Sequence, residues 1–473
     1  MPERILTFHI DTEVTEVYAK DLLRFIRHYY LRSDPDHFSN IKKATVNSLH
    51  SLTFRVRDPQ MRWHIDVVAV GSRPIKVTMT SSDETIPEDL FEQLRDDLVI
   101  YVQLFEEQVR KTTLYFAWVE GKDIIPETLP SVGGKATDKI FTGNMLYLYV
   151  IMIIASFFLF GLLGIYAPIA IIAFQLAAVL FADKIALRFG NWRIDPENPT
   201  VHLLQYHLPI EEYREFRNRY GTDLVLKIKR EIYEKTLAVG KEPSCELGQE
   251  VLSKYGMQCV PERMSAKTVN VYALVKRVAQ KFQVPVPKIA ISNTMLPNAA
   301  ATGPSPSHGT VLITTGLLMQ LEEDELVSVV GHEVGHLKGR DSLILFGLVA
   351  SEYLLRLYVL LPIFYLSPFL YLIVTMGIIY FVAKFFEARA DLQSAIVIGQ
   401  PQSLAEALRK IGFRKLQFER THASRILGWL NWDPHPPMYF RISRLDKLKA
   451  PVKIKHPLIQ SAKDVVDGFR AAL

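Results

Sequence analysis

The chain has 473 residues, 49% of them hydrophobic, with a formal net charge of +5 and a mean hydropathy of +0.11. That length suggests two or three domains plus a membrane part. No dense basic patch with interleaved aromatics stands out, which argues against a nucleic-acid partner. The two cysteines, Cys245 and Cys259, form no C-x-x-C and point to a reducing compartment, with a bond between them left open.

Residues 1–130 read as an α+β accessory domain. The N-terminus turns polar at once and is no signal peptide, so internal segments are expected to direct insertion. Residues 5–10 alternate like a strand and 13–31 have helical periodicity. Strands follow at 46–56, 61–70 and 74–80, then one long amphipathic helix or two over 87–121. Glu106 and Arg110 are opposite charges at helical spacing and read as a solvated face. Gly133-Gly134 marks a linker over 131–143.

Residues 145–166 form an uncharged apolar run long enough to span a bilayer. Residues 168–185 are a weaker second segment that contains Gln175 and relies on Lys184 to snorkel. Together they make a transmembrane hairpin over 144–185. Lys135, Lys139, Lys184, Arg188 and Arg193 flank it on one side, which places both ends in the cytosol. Residues 194–266 carry two charged amphipathic helices and read as a helical insertion. Beyond residue 267, a helix at 268–283 and strands at 288–292 and 311–315 surround a loop at Asn298. One of those strands, at a sheet edge, would bind an extended peptide as an added strand.

His332-Glu333-Val334-Gly335-His336 is the decisive motif. On a helix, positions i and i+4 share a face, so both imidazoles can reach one zinc ion. Glu333 lies beside the first histidine, placed to take a proton from the attacking water. A surface helix with two idle histidines is the plain alternative, but the flanks are almost wholly apolar, and buried polar groups need partners. Glu387 is the best third ligand and Asp391, one turn further on, is suited to hold a ligand histidine's other ring nitrogen. A second apolar pair, 343–361 and 369–386, starts just after the histidines and ends on Glu387, which puts the metal near the membrane surface. Inside it Glu352 and Arg356 are expected to pair toward the bundle interior. Near the C-terminus, His435 is held by Pro436 and Pro437, and Arg441 is permanently charged. Either would stabilise an oxyanion, and a Pro-rich loop leading into a basic helix explains them equally well.

These residues resemble the HtpX-type membrane zinc metalloproteases. Pro287 to Gly303, with Pro297-Asn298-Ala299, is similar to the family's P-x-x-P-N-A-F-A-T-G region. Residues 305–318, Asp324-Glu325-Leu326, Lys338-Gly339-Arg340-Asp341, 182–188, His435-Pro436-Pro437 and Arg441-Ile442 resemble its further signatures. The likeness covers about 144–193 and 268–448; residues 1–140 and 194–266 have no counterpart of that length. Taken with the elements read above, it gives an α+β N-terminal domain joined to a mainly α, membrane-embedded zinc metallopeptidase domain (267–473) with four transmembrane helices. It implies one Zn2+ per chain on His332, His336 and Glu387, with Glu333 as general base and Asp391 behind the ligands. His435 and Arg441 become transition-state helpers, and Asn298 and Ala299 contact substrate. Implied too are quality control or heat-shock duty on misfolded membrane proteins, a lipid-bilayer partner, and multi-pass residence in the plasma membrane with site and termini cytoplasmic. A CAAX prenyl protease-like peptidase and a zinc-bound membrane scaffold without turnover are the rival readings. Oligomeric state is not legible.

Overall fold

The structure is a computed structural model that describes residues 4–13, 16–58, 62–81, 83, 86–125, 145–257 and 260–473. The expected linker, Lys135, Lys139 and Cys259 lie outside the described residues. The chain divides into two compact units, one of residues 1–118 with 202–268 and one of 119–201 with 269–473.

The first unit opens with strands β1 (Arg4–Ile10), β2 (Phe38–Val46), β3 (Leu49–Arg57), β4 (His64–Val70) and β5 (Ile75–Ser81) in one antiparallel sheet of order β1-β5-β4-β3-β2. Alternate side chains of β4 and β5 are buried, so the sheet has one core face. Leu52, Val67 and Met79 pack there against Leu22 and Ile26 of helix Ala19–Ile26 and Phe91, Leu98 and Val102 of helix Glu88–Arg110. Each such side chain contributes roughly 1.5–3 kcal/mol on burial. The sequence reading began a strand at residue 46. The chain in fact turns there, with Asn47 at φ 49° and Ser48 at φ 67°, the geometry of a two-residue hairpin between β2 and β3.

Two further expectations need correction in this unit. Residues 87–121 are not helical throughout, because helix Glu88–Arg110 gives way to strand β6 (Thr113–Val119). Every residue of β6 is buried, so it shows no polar alternation by which periodicity could recognise it. Glu106 is also not on a solvated face. It is 1% exposed, accepts from Gln103 at 2.8 Å and the Glu13 backbone N–H at 3.1 Å, and pairs with Arg110 at 3.2 Å. Strand β8 (Thr200–His207) and strand β9 (Met264–Asn270) join β6 in a three-stranded sheet of order β6-β8-β9. Phe116 and Trp118 pack with Leu204, Tyr206, Ile228 and Val251, the last two from helices Ile210–Lys235 and Cys245–Lys254. Segment 194–266 is therefore part strand, and its two expected helices are one.

The second unit holds a four-stranded sheet, β11-β12-β10-β7, of strands β7 (Trp192–Ile194), β10 (Lys288–Ser292), β11 (Ala299–Thr302) and β12 (Thr310–Thr314). Strands β10 and β12 run parallel and both are interior, so neither strand expected at 288–292 or 311–315 is the edge; the edge beside them is β11, antiparallel to β12. Helix Glu323–Gly339, which carries both motif histidines, packs against β11 and against helices Val271–Phe282, Pro368–Ile398 and Pro401–Phe418. A capping box between Glu322 and Glu325 starts it. Lys410 reaches Glu325 at 2.7 Å and fixes that end against helix Pro401–Phe418.

Among the described residues, two helical stretches are long and apolar enough to cross a membrane, Ile154–Leu180 and Pro368–Ile398, against the four expected. The first breaks at Gly164 (φ 53°) into helices Met145–Leu163 and Ala167–Leu180. Phe157, Ile165, Leu366 and Phe369 are all at least 75% exposed, an apolar surface that water does not favour. Helix Asp341–Tyr358 pairs with Pro368–Ile398 through short helix Leu361–Leu366. Within this hairpin, Glu352 meets Arg356 at 3.5 Å and accepts from the Tyr371 hydroxyl at 3.1 Å.

Candidate metal centre and active site

His332 and His336 lie one turn apart on helix Glu323–Gly339, and their Nε2 atoms are 3.1 Å from each other. Glu387, on helix Pro368–Ile398, places Oε1 3.2 Å from His336 Nε2 and Oε2 3.4 Å from His332 Nε2. The ligand atoms of the three residues lie within 4.8 Å of one another.

Each imidazole is held from behind. His332 Nδ1 is 2.8 Å from Asp391 Oδ1, and His336 Nδ1 is 2.7 Å from Asp341 Oδ2. His336 Nδ1 donates to its carboxylate and His332 Nδ1 faces one at ion-pair distance, an arrangement in which each neutral ring presents its Nε2 lone pair. At 3.1 Å the two Nε2 atoms need a positive charge between them, a proton or a metal, and Glu387 Oε2 is buried without a hydrogen-bond donor. A divalent cation satisfies all three at once, so the residues fit a metal of the two-imidazole, one-carboxylate type with a position left open. Electrostatics agree. Burial presses the His336 imidazole down, but Glu387, Asp341 and Glu333 carry it up to about 10. Burial likewise opposes the His332 proton, and Asp391 and Glu387 outweigh it. The acidic surroundings draw positive charge into this pocket, as protons or as a metal.

The supporting carboxylates are themselves gripped. Arg441, 4% exposed and on helix Met438–Asp446, donates from Nε and Nη2 to the two oxygens of Asp391 at 2.8 and 2.7 Å. Its Nη1 stands 3.5 Å from Glu387 Oε2. Two of its donors are thus committed to Asp391, and one faces the ligand carboxylate. Arg389 holds Asp341 through one nitrogen, Nη2, which reaches both carboxylate oxygens at 2.6 and 2.5 Å. Asp341 and Arg389 were not among the sequence candidates. Their signal is local: Arg340 adopts a left-handed φ of 55°, which turns the chain back so that Asp341 reaches His336. A Cβ at Gly339 would overlap the Arg389 guanidinium, so a larger residue there displaces Arg389 from Asp341.

Glu333 is 8% exposed and follows His332 on the same helix. Its charge is felt by both His336 and Arg441, which places it at the pocket. His435 is the exposed member of the group, 40% open, with Nε2 3.7 Å from Glu387 Oε2. Asp433 accepts from its backbone N–H at 3.0 Å and holds its Nδ1 at 2.8 Å. Burial works against ionisation of Asp433, yet His435 and Lys415 keep its carboxyl well below the usual range. Lys384, 1% exposed, donates to the backbone carbonyls of Asn431 and Asp433 at 3.1 and 2.5 Å and pins this loop. Asn298 immediately precedes edge strand β11, which Ala299 opens. The Asn298 N–H donates to Thr314 Oγ1 at 2.9 Å, and the Thr314 N–H returns to the Asn298 carbonyl at 3.1 Å. The backbone around Asn298 is thereby fixed at the edge of the sheet that packs on the histidine helix.

The model for peptidase family M48 matches residues 265–449. A protein named protease HtpX homolog from Thermodesulfovibrio yellowstonii is 30% identical over 234 residues, which is 42% of this chain and 80% of the relative. One of the same name from Moorella thermoacetica is 34% identical over 227 residues, 39% of this chain and 76% of the relative. A third, from Thermococcus kodakarensis, is 33% identical over 234 residues, 42% of this chain and 79% of the relative.

Proposed function

The chain belongs to peptidase family M48 and is a metalloprotease of the HtpX type, a hydrolase of peptide bonds; from that premise we propose that it is an integral-membrane zinc endopeptidase acting on misfolded or damaged membrane proteins. The observation that carries this reading is the convergence of His332 Nε2, His336 Nε2 and the Glu387 carboxylate, with each Nδ1 within 2.8 Å of a carboxylate oxygen behind it.

His332, His336 and Glu387 are the metal ligands in this reading, one ion per chain. A bound zinc would supply the Lewis acid that polarises the scissile carbonyl and acidifies a water. Glu333 removes the proton from the attacking water and delivers it to the leaving amine. Asp391 and Asp341 keep the imidazoles in the tautomer that ligates. His435, oriented by Asp433, donates from Nε2 to the oxyanion as it forms, and Arg441 Nη1 adds positive charge on the same side. The substrate peptide pairs with β11, entering at Asn298 and Ala299 as an added strand.

The membrane reading rests on the two long apolar stretches and their exposed faces. Each is part of a hairpin, 145–185 and 343–386, which makes four spanning segments with the site and both termini cytoplasmic and the plasma membrane as the location. Helix Pro368–Ile398 continues from the apolar stretch into Glu387 and Asp391, so ligands and bilayer share one rigid element. The test is cleavage of a destabilised membrane protein by the purified chain in lipid. Chelation should abolish cleavage and zinc should restore it. Cleavage that survives complete metal removal would overturn the proposal.

A further inference from the structure

The first unit contains a basic cavity far in sequence from the metal ligands. Helix Ala19–Ile26 runs into a π-helical turn, Arg27–Leu31, closed by an Arg32 N–H to Arg27 C=O bond of 3.2 Å. Such turns are rare and concentrate at functional positions. Beside this one lies a cavity of about 540 Å3 lined by Arg24, Arg27, Arg32 and Lys43, with Asp21 its sole carboxylate. Asp21 is spent on Arg24, at 3.1 Å. Arg27, Arg32 and Lys43 form no ion pair among the described residues.

Cations at the end of a helix complement its dipole, and that alone would account for Arg24 and Arg27. It does not account for Lys43, which comes from strand β2 and lines the same cavity. Uncompensated cations gathered around a concave space repel one another unless an anion joins them. Aromatic rings complete the wall. Phe25 lies 4.6 Å from Tyr29 and 5.6 Å from Phe105 between ring centroids, and Tyr29 is 54% exposed.

We propose that this cavity is a binding site for a phosphate monoester, with the phosphate held by Arg27, Arg32 and Lys43 and the attached apolar or ring portion lying on Tyr29 and Phe25. Guanidinium forks suit phosphate oxygens, which accept two parallel N–H bonds from each. The volume admits one phosphorylated group, with the rest of its molecule extending over the exposed rim. The phosphate can come from a lipid headgroup or from a soluble molecule.

The test uses the full chain in phosphatidylcholine nanodiscs and titrates it calorimetrically with inorganic phosphate, with short-chain phosphatidic acid and, separately, with a single-stranded oligonucleotide. Saturable binding of at least one of the first two probes is expected. Phosphatidic acid alone identifies a lipid source, and inorganic phosphate as well shows that the phosphate group suffices. The pair Arg27→Glu and Lys43→Glu should weaken binding about 100-fold, about tenfold for each charged contact. Arg32→Gln, a milder change, should weaken it about tenfold. Lys42→Glu with Lys76→Glu makes the same change in net charge at exposed positions outside the cavity and should leave binding within about twofold. The proposal fails if neither inorganic phosphate nor phosphatidic acid binds, if the control pair weakens binding as much as the cavity pair, or if only the single-stranded oligonucleotide binds.

Discussion

Arg441 grips Asp391 with two hydrogen bonds, 2.8 and 2.7 Å, and the same carboxylate stands 2.8 Å from Nδ1 of His332. A residue 109 positions beyond the motif histidine thus sets that histidine's ring through one intermediary. Breaking a buried pair of this kind leaves an uncompensated charge and costs about 3–5 kcal/mol.

Asp391→Asn keeps the shape of the side chain but removes its charge. Zinc affinity, read by competition with a chromophoric chelator, should fall about 10–100-fold while the chain stays folded. Unchanged affinity would mean that His332 needs no carboxylate behind it.

Asp341 and Arg389 form the equivalent support for His336. Asp341→Asn and Arg389→Leu should each lower zinc affinity by about 10–100-fold. They act through one contact, so the double variant should lose far less than the product of the two. Fully additive losses in a double-mutant cycle would show two separate roles.

His207 gives a pH prediction in the first unit. It is 1% exposed and bonded to Thr113 Oγ1 at 2.7 Å, and burial pushes its pKa down to about 4. The folded value lies below the unfolded one of 6.5. The stability it confers is therefore present above about pH 6.5 and is lost as pH falls through about 4. His207→Asn should flatten this part of the profile, measured as amide protection of strand β8 against wild type at each pH. Parallel profiles for the two chains would contradict the shift.

The proposed hairpins make a topological prediction. A cysteine at Ile165, 82% exposed at the break of the first apolar stretch, should react with an impermeant reagent from outside the cell. A cysteine at Glu197, beyond helix Ala182–Phe189, should react only after the membrane is opened. The reverse pattern would invert the orientation, and outside labelling at both positions would remove the first hairpin from the membrane.

Much of the candidate site was legible because its spacing is dictated by helix geometry. His332 and His336 had to share a face, and Glu387 and Asp391 do the same on the second helix. Arg441 was visible as a charge but not as the partner of Asp391, since that contact spans 50 residues of sequence. Asp341 was hidden by the left-handed Arg340, which breaks the periodicity that would have pointed to it. Strand β6 was lost for a different reason. Its wholly buried sequence lacks any alternation, so it merged with the preceding helix. The cost was larger than one element, because β6 pairs into a sheet with β8 and β9, and a cut at residue 130 would leave those strands without it. The cations from Arg24 to Lys43 were equally inconspicuous until a π-turn and a neighbouring strand gathered them.

The central claim is that Glu333 moves the proton in a centre built by His332, His336 and Glu387. Its most direct test is Glu333→Gln, with zinc content and peptide cleavage measured on the same purified sample. The account predicts about one zinc per chain, as in wild type, and a fall in kcat of about 10²–10⁴-fold. Cleavage at the wild-type rate with zinc fully bound would contradict it.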